Sequence, residues 1–255
     1  METLFTGQIH FHLAECPSVN TYATEMVKSR EIAEGTIIST SNQTNGRGQF
    51  GNKWHSEEGK NITACIIYRP KFLQIQNIFA LSMAVSLAMY DLLTYFLGKK
   101  HDIKIKWPND ILVDGKKICG ILIENIFRGS SLDYSLVGIG LNVNQGNFPK
   151  LLCNAISLKA CLGEDLDLKI VLELLCLKIE KRYLQTRNDQ LEDIKKSYSK
   201  RLFLYGEEAE YLKSNGEKIL GSIVNVGFDG ALELRYKSGK SDFFRYKELV
   251  YLFEK

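Results

Sequence analysis

Residues 43–54 read Q-T-N-G-R-G-Q-F-G-N-K-W, with glycines at Gly46, Gly48 and Gly51 and Arg47 between the first two. Glycine lets backbone N–H groups approach an anion closely, because no side chain intervenes. Arginine adds a planar fork of donors that matches a carboxylate or a phosphate. The spacing G-x-G-x-x-G also matches a dinucleotide-binding turn, but that turn needs a helix N-terminus directly behind it. Here the chain continues K-W-H-S-E-E-G-K-N-I-T-A-C-I-I-Y, a loop running into a strand, so the dinucleotide reading fails on context. The G-K-[S/T] ending of a P-loop is missing as well. By residue type alone the loop is either an anion cradle or a solvated surface turn.

A second cluster, Lys106-Trp107-Pro108-Asn109-Asp110, places a lysine, an amide and a carboxylate beside a rigid turn. Pro108 favours an extended Trp107, while Asn109 and Asp110 also suit an ordinary turn. What sets the cluster apart is the apolar strand that runs into it. Lys117 then precedes I-C-G-I-L-I-E at 118–124, and V-G-I-G-L-N-V-N occupies 137–144. Gly120, Gly138 and Gly140 inside these apolar strands mark a ligand or another chain segment in close approach. Asn142 follows the last of them. Trp54 suits either the core or an aromatic wall for a ring. No Ser/His or Cys/His arrangement suited to a nucleophile stands out, and no dedicated set of metal ligands.

These residues need elements to hold them. Residues 8–13 suit a strand, and S-V-N-T-Y-A-T-E-M-V opens a helix with Ser18 as its N-cap. Residues 36–41 and 62–68 are strand-like, the second ended by Arg69-Pro70. Residues 76–97 form a helix that is apolar nearly all round, which predicts an interior position. Ile103, Ile105 and Trp107 alternate with lysines, Asp114-Gly115 marks a hairpin turn, and 118–126 pairs back. Another strand covers 137–143, and a long amphipathic helix spans 168–202. Beyond Tyr205 short strands at 209–213, 219–226, 231–236 and 241–246 are separated by N-G, D-G and S-G turns. The pattern predicts an α+β protein: a mixed-sheet domain over 1–203 and a five-stranded β-barrel over 204–255.

A net charge of +3, with lysines and arginines dispersed, argues against nucleic acid as a main partner. The six cysteines (Cys16, Cys65, Cys119, Cys153, Cys161, Cys176) contain no C-x-x-C pair and read as reduced, buried thiols. The N-terminus lacks the basic and apolar regions of a signal peptide. Ser82, Ser86, Asp91 and Thr94 break the longest apolar run, which favours a buried helix over a membrane span. The expectation is a cytoplasmic chain with no membrane partner.

Taken together, G-R-G-Q-F-G-N-K-W, K-W-P-N-D-I, G-K-K-I-C-G-I-L-I-E and V-G-I-G-L-N-V-N resemble, in order and spacing, the biotin–protein ligases (biotin–[acetyl-CoA-carboxylase] ligases). The resemblance spans about residues 8–255 and is to the short type, without a leading DNA-binding domain. It implies the biotin/lipoate-ligase catalytic fold with an SH3-like C-terminal barrel. It further implies an ATP-dependent ligase that forms biotinyl-5′-AMP and passes biotin to a lysine of a biotin carboxyl carrier domain, with Mg²⁺ on the ATP phosphates. Monomer and homodimer both remain compatible.

By the same resemblance, Ser18-Val19-Asn20 stands where the family has S-T-N at the biotin ring, with valine replacing the central threonine and its hydroxyl. Gln43, Gly48, Gln49 and Gly120 line the biotin site. Arg47 meets the carboxylate and α-phosphate, and Lys117 meets the acyl-phosphate region. Asp110 lies near the reacting centre, while Trp54, Asn142 and Lys106 fall on the nucleotide side. Gln49, Phe50 and Asn52 occupy positions where some members carry further arginines. The loop at 43–53 is expected to close over an acyl-adenylate.

Overall fold

The computed structural model describes residues 2–252. A seven-stranded sheet is built from β1 (His10–Cys16), β2 (Thr36–Gln43), β3 (Ile62–Tyr68), β4 (Ile103–Lys106), β5 (Asp110–Val113), β6 (Lys116–Arg128) and β7 (Ser131–Leu141). Its order is β1-β2-β3-β7-β6-β5-β4, with β1 and β2 parallel and every other pair antiparallel. The helices are α1 (Val19–Ser29), α2 (Phe79–Leu97), α3 (Leu158–Leu162), α4 (Leu168–Arg187) and α5 (Leu191–Ser199).

The two faces of the sheet bury different partners because strand side chains alternate. Ile66, Ala64, Ile121 and Ile139 point to the face covered by α2 and α4. Cys65, Ile67, Ile38 and Leu136 point to the face covered by α1. Helix α2 is apolar on nearly every side, as expected, and packs against α4, α5 and the sheet. It is long and apolar enough to cross a membrane by length and composition, yet twelve of its residues, from Ala80 to Leu97, are buried inside this fold. The D-G hairpin forms where expected, with Asp114 and Gly115 at φ 50° and 74°, the positive values its tight turn requires.

Residues 168–202 form two helices rather than one. Asp189 adopts φ 58° between α4 and α5, and this reversal lets α5 fold back onto α2. The amphipathic period continues through both helices, which is why it reads as one. The first strand also begins at His10, two residues later than its pattern suggests.

The C-terminal strands β8 (Glu208–Lys213), β9 (Lys218–Val226), β10 (Leu232–Arg235), β11 (Ser241–Phe244) and β12 (Leu249–Tyr251) form a second antiparallel sheet, ordered β11-β10-β9-β8-β12. It shares a continuous core with the larger sheet. Trp107 Nε1 donates to the Gly230 carbonyl (3.1 Å), and Phe79 N–H donates to that of Phe228 (2.9 Å).

Candidate functional site

One row of residues crosses four strands. Thr63 of β3 pairs with Gly140 of β7, Gly140 with Gly120 of β6, and Gly120 with Asp110 of β5. Directly opposed residues share a face, so the two glycines leave a slot in the sheet between Thr63 and Asp110. Trp54 fills it. A Cβ on Gly140 would lie 2.2 Å from the indole Cε2, and one on Gly120 would lie 3.1 Å from Cζ3. In the next row, Gly138 faces Asn20 of α1, and a Cβ there would lie 2.2 Å from Asn20 Oδ1. Both glycines of β7 therefore make room for one polar or aromatic side chain from another element.

The glycine loop delivers Trp54. Arg47 and Lys53 form a β-bridge. Gly48 N–H donates to the Asn52 carbonyl (2.7 Å) and Trp54 N–H to that of Gly46 (3.0 Å), with a 3-10 turn at Gln49–Gly51. A Cβ on Gly46 would meet the Trp54 carbonyl oxygen at 2.3 Å, so this strap closes only over glycine. At its root, Gln43 Oε1 accepts from the Val19 N–H (2.9 Å) and so caps α1, where the Ser18 hydroxyl makes no capping bond. The valine at position 19 therefore contributes through its backbone.

Two cations from different elements line the resulting cleft. Arg47 Nη2 lies 2.8 Å from Glu124 Oε1, and Nη1 lies 3.4 Å from Thr21 Oγ1. Lys117 Nζ lies 2.6 Å from Asp110 Oδ1 and 5.8 Å from the Trp54 ring centroid. Their side chains are 45% and 40% exposed, so both can still meet an anion. Ser18, Val19, Asn20, Gln43, Arg47, Gly48, Gln49, Trp54, Asp110, Lys117 and Gly120 all line this cleft.

Lys106 and Asn142 are set back from it. Lys106 lies 5.0 Å from the Tyr251 ring centroid. Burial lowers its pKa, Asp110 opposes that shift and Lys117 adds to it. Asn142 donates to the Ile156 carbonyl (3.0 Å), fixing the segment behind Lys117. Its Oδ1, like Trp54 Nε1 and Gln49 Oε1, is buried with no hydrogen-bond partner among the described residues. Such atoms cost about 1–3 kcal/mol each unless something pairs with them.

Several contributors escape a sequence reading. Glu124, Thr21, Thr63 and Tyr246 have no glycine or proline beside them to draw notice. Glu124 alone carries a signal, as a carboxylate ending an apolar strand run. A Ser/His array also exists, outside the cleft. Ser39 Oγ lies 2.7 Å from His10 Nε2 and 2.9 Å from His12 Nδ1, and Ser41 Oγ lies 3.1 Å from His12 Nε2. Burial and the neighbouring His12 lower the His10 pKa. All six thiols are free, but only four are buried: Cys153 is exposed on the irregular segment after β7, and Cys161 is half-buried in α3. Among the described residues no group of three His, Cys, Asp or Glu is placed to cage a metal.

Residues 13–142 match the model of the biotin/lipoate A/B protein ligase family. The bifunctional ligase/repressor BirA of Bacillus spizizenii is 33% identical over 209 residues, covering 81% of this chain and 63% of the relative. This chain thus spans less than two thirds of that protein's length. The biotin–[acetyl-CoA-carboxylase] ligase of Mycobacterium tuberculosis is 25% identical over 86% of this chain and 80% of its own. Among solved structures, the biotin protein ligase from Aquifex aeolicus in complex with biotin and ATP superposes with a TM-score of 0.78 at 26% identity, covering 95% of this chain and 98% of that one.

Proposed function

The chain belongs to the biotin/lipoate A/B protein ligase family, and on that premise we propose that it activates biotin with ATP and transfers it to a lysine of a biotin carboxyl carrier domain. A biotin carboxylate oxygen bonds to the α-phosphorus of ATP, and the bond from that phosphorus to the bridging oxygen of the β-phosphate breaks. Pyrophosphate leaves and biotinyl-5′-AMP remains. The neutral amine of the carrier lysine then bonds to the acyl carbon, the acyl–phosphate bond breaks, AMP leaves, and the amine gives up a proton.

The observation that carries this reading is the convergence of Arg47 and Lys117 on one cleft. The barrier to the first step is repulsion between an anion and a polyanion. Two fixed cations at the point of bonding offset it without reorganising at the moment of reaction. Asp110 holds the Lys117 ammonium (2.6 Å) and is the carboxylate we assign to orient the incoming amine. Trp54 offers a ring surface to adenine. Lys106 and Asn142 support that side from behind, Lys106 adding positive charge to the neighbourhood of Asp110. Mg²⁺ would arrive on the nucleotide phosphates, in keeping with its preference for phosphate and water oxygens, and would add charge neutralisation there. The strap at residues 43–53 excludes water from the adenylate, a mixed anhydride that hydrolyses in solvent.

The test is ATP-dependent modification of a carrier domain, read by mass spectrometry with biotin or lipoate supplied. A biotin mass increment on one lysine is expected. An increment with lipoate alone, or with neither acid, overturns the assignment.

A further inference from the structure

We propose that Glu124 is a positioning residue for this reaction, a single carboxylate that aligns Arg47 of the strap with Asn20 of α1. The inference rests on the ligase reading above. Gly120, Leu122 and Glu124 alternate along β6 and so share the cleft-side face of the sheet. Glu124 Oε1 accepts from Arg47 Nη2 (2.8 Å), and Oε2 accepts from Asn20 Nδ2 (2.9 Å). Each oxygen thus serves a different element.

Asn20 is nearly fully buried, with its Oδ1 against Gly138 and its Nδ2 also donating to the Leu122 carbonyl (3.3 Å). Its amide orientation is fixed, and it fixes Oε2 of Glu124 in turn. Arg47 is held far less firmly without the carboxylate, since its other side-chain hydrogen bond among the described residues is the 3.4 Å bond to Thr21 Oγ1. Arg47 lines the cleft and is the more exposed of the pair, its side chain 45% exposed against 29% for Glu124. An entering anion therefore meets the guanidinium first, with the carboxylate behind it. A guanidinium carries five N–H donors, so binding Glu124 through one leaves others for that anion. The arrangement gives Arg47 a direction before substrate arrives, which is the condition for a charge to lower a barrier rather than merely bind.

The glutamine variant separates charge from shape, because its amide oxygen can still accept from Asn20 while the charge facing Arg47 is lost. The experiment is a double-mutant cycle of Glu124→Gln with Arg47→Ala, read as biotin-dependent pyrophosphate release. In the wild-type background Glu124→Gln should lower kcat about tenfold with KM for ATP little changed. In the Arg47→Ala background it should change kcat by less than about twofold, because a residue acting through Arg47 has nothing left to act on. An equal factor in both backgrounds overturns the proposal, as does a Glu124→Gln enzyme with unchanged kcat. If Glu124→Gln does not fold, Glu124→Asp keeps the charge, shortens the reach by one methylene and is read in the same cycle. A wild-type protein that releases no pyrophosphate with biotin and ATP sinks the ligase reading itself. An active wild type with an additive cycle sinks this proposal alone.

Discussion

Replacing Gly140 with alanine tests the link between sheet and strap. The added Cβ would lie 2.2 Å from Trp54 Cε2 and 2.6 Å from both Cζ2 and Nε1. Carbon atoms attract at roughly 3.5 Å and beyond, so the indole has to withdraw by about 1.3 Å. Trp54 is tied to Gly46 by a 3.0 Å backbone bond, and Arg47 is the next residue along, so the withdrawal carries the strap with it. Overpacking of this kind costs about 1–3 kcal/mol of stability. A displacement near 1 Å of a charge-bearing loop costs about a hundredfold in rate. The expected outcome is a folded Gly140→Ala protein whose adenylate formation falls about a hundredfold, measured as biotin-dependent pyrophosphate release. Tryptophan fluorescence reports the ring, because the other indole, Trp107, is buried and held by its own bond to the Gly230 carbonyl. Gly146→Ala is the control, since a Cβ there meets nothing within 4 Å. Wild-type rates and an unshifted Trp54 signal in Gly140→Ala would refute the reasoning.

The charge-neutralisation account predicts that Arg47→Ala and Lys117→Ala each lower adenylate formation about a hundredfold or more while leaving the fold intact, as far-ultraviolet circular dichroism would report. Near-normal rates in both would end that account. Strap closure predicts that biotin plus ATP protect residues 43–53 from limited proteolysis, and equal cleavage with and without them would count against it. Glu180 anchors the N-terminal segment by accepting from the backbone N–H groups of Leu4 (2.7 Å), Phe5 (2.9 Å) and Thr6 (2.8 Å). Burial would raise its pKa, but these donors outweigh it and hold the carboxyl below its ordinary value near 4.5. The stability it adds is therefore present above about pH 4.5 and is lost as the pH falls through the lower, folded-state pKa. Glu180→Gln, whose amide nitrogen cannot accept a bond, should lose about 2 kcal/mol at neutral pH and less in acid. Urea titrations at pH 7 and pH 3.5 check this, and an equal loss at both would show that charge is not the cause.

Much of this protein was legible in one dimension because its signals are local. Alternation marked β4 and β7, a continuous apolar run marked β3, uniform apolarity placed α2 in the interior, and Asp114-Gly115 marked the hairpin before β6. Four motifs, each weak alone, together named the family and picked out Arg47, Lys117, Asn20 and Gln43, all of which line one cleft. What the sequence could not carry was cross-strand register and the reach of one element over another. Nothing in a linear reading says that Gly120 and Gly140 lie side by side beneath Trp54, or that Glu124 meets both Arg47 and Asn20. Nor does it show Lys106 and Asn142 drawn back from the cleft, or a reversal at Asp189 dividing one helical pattern into α4 and α5. Periodicity is a property of neighbouring residues and survives in the chain. Register comes from packing one face of the sheet on α2 and the other on α1, a non-local balance that exists only once the chain has folded.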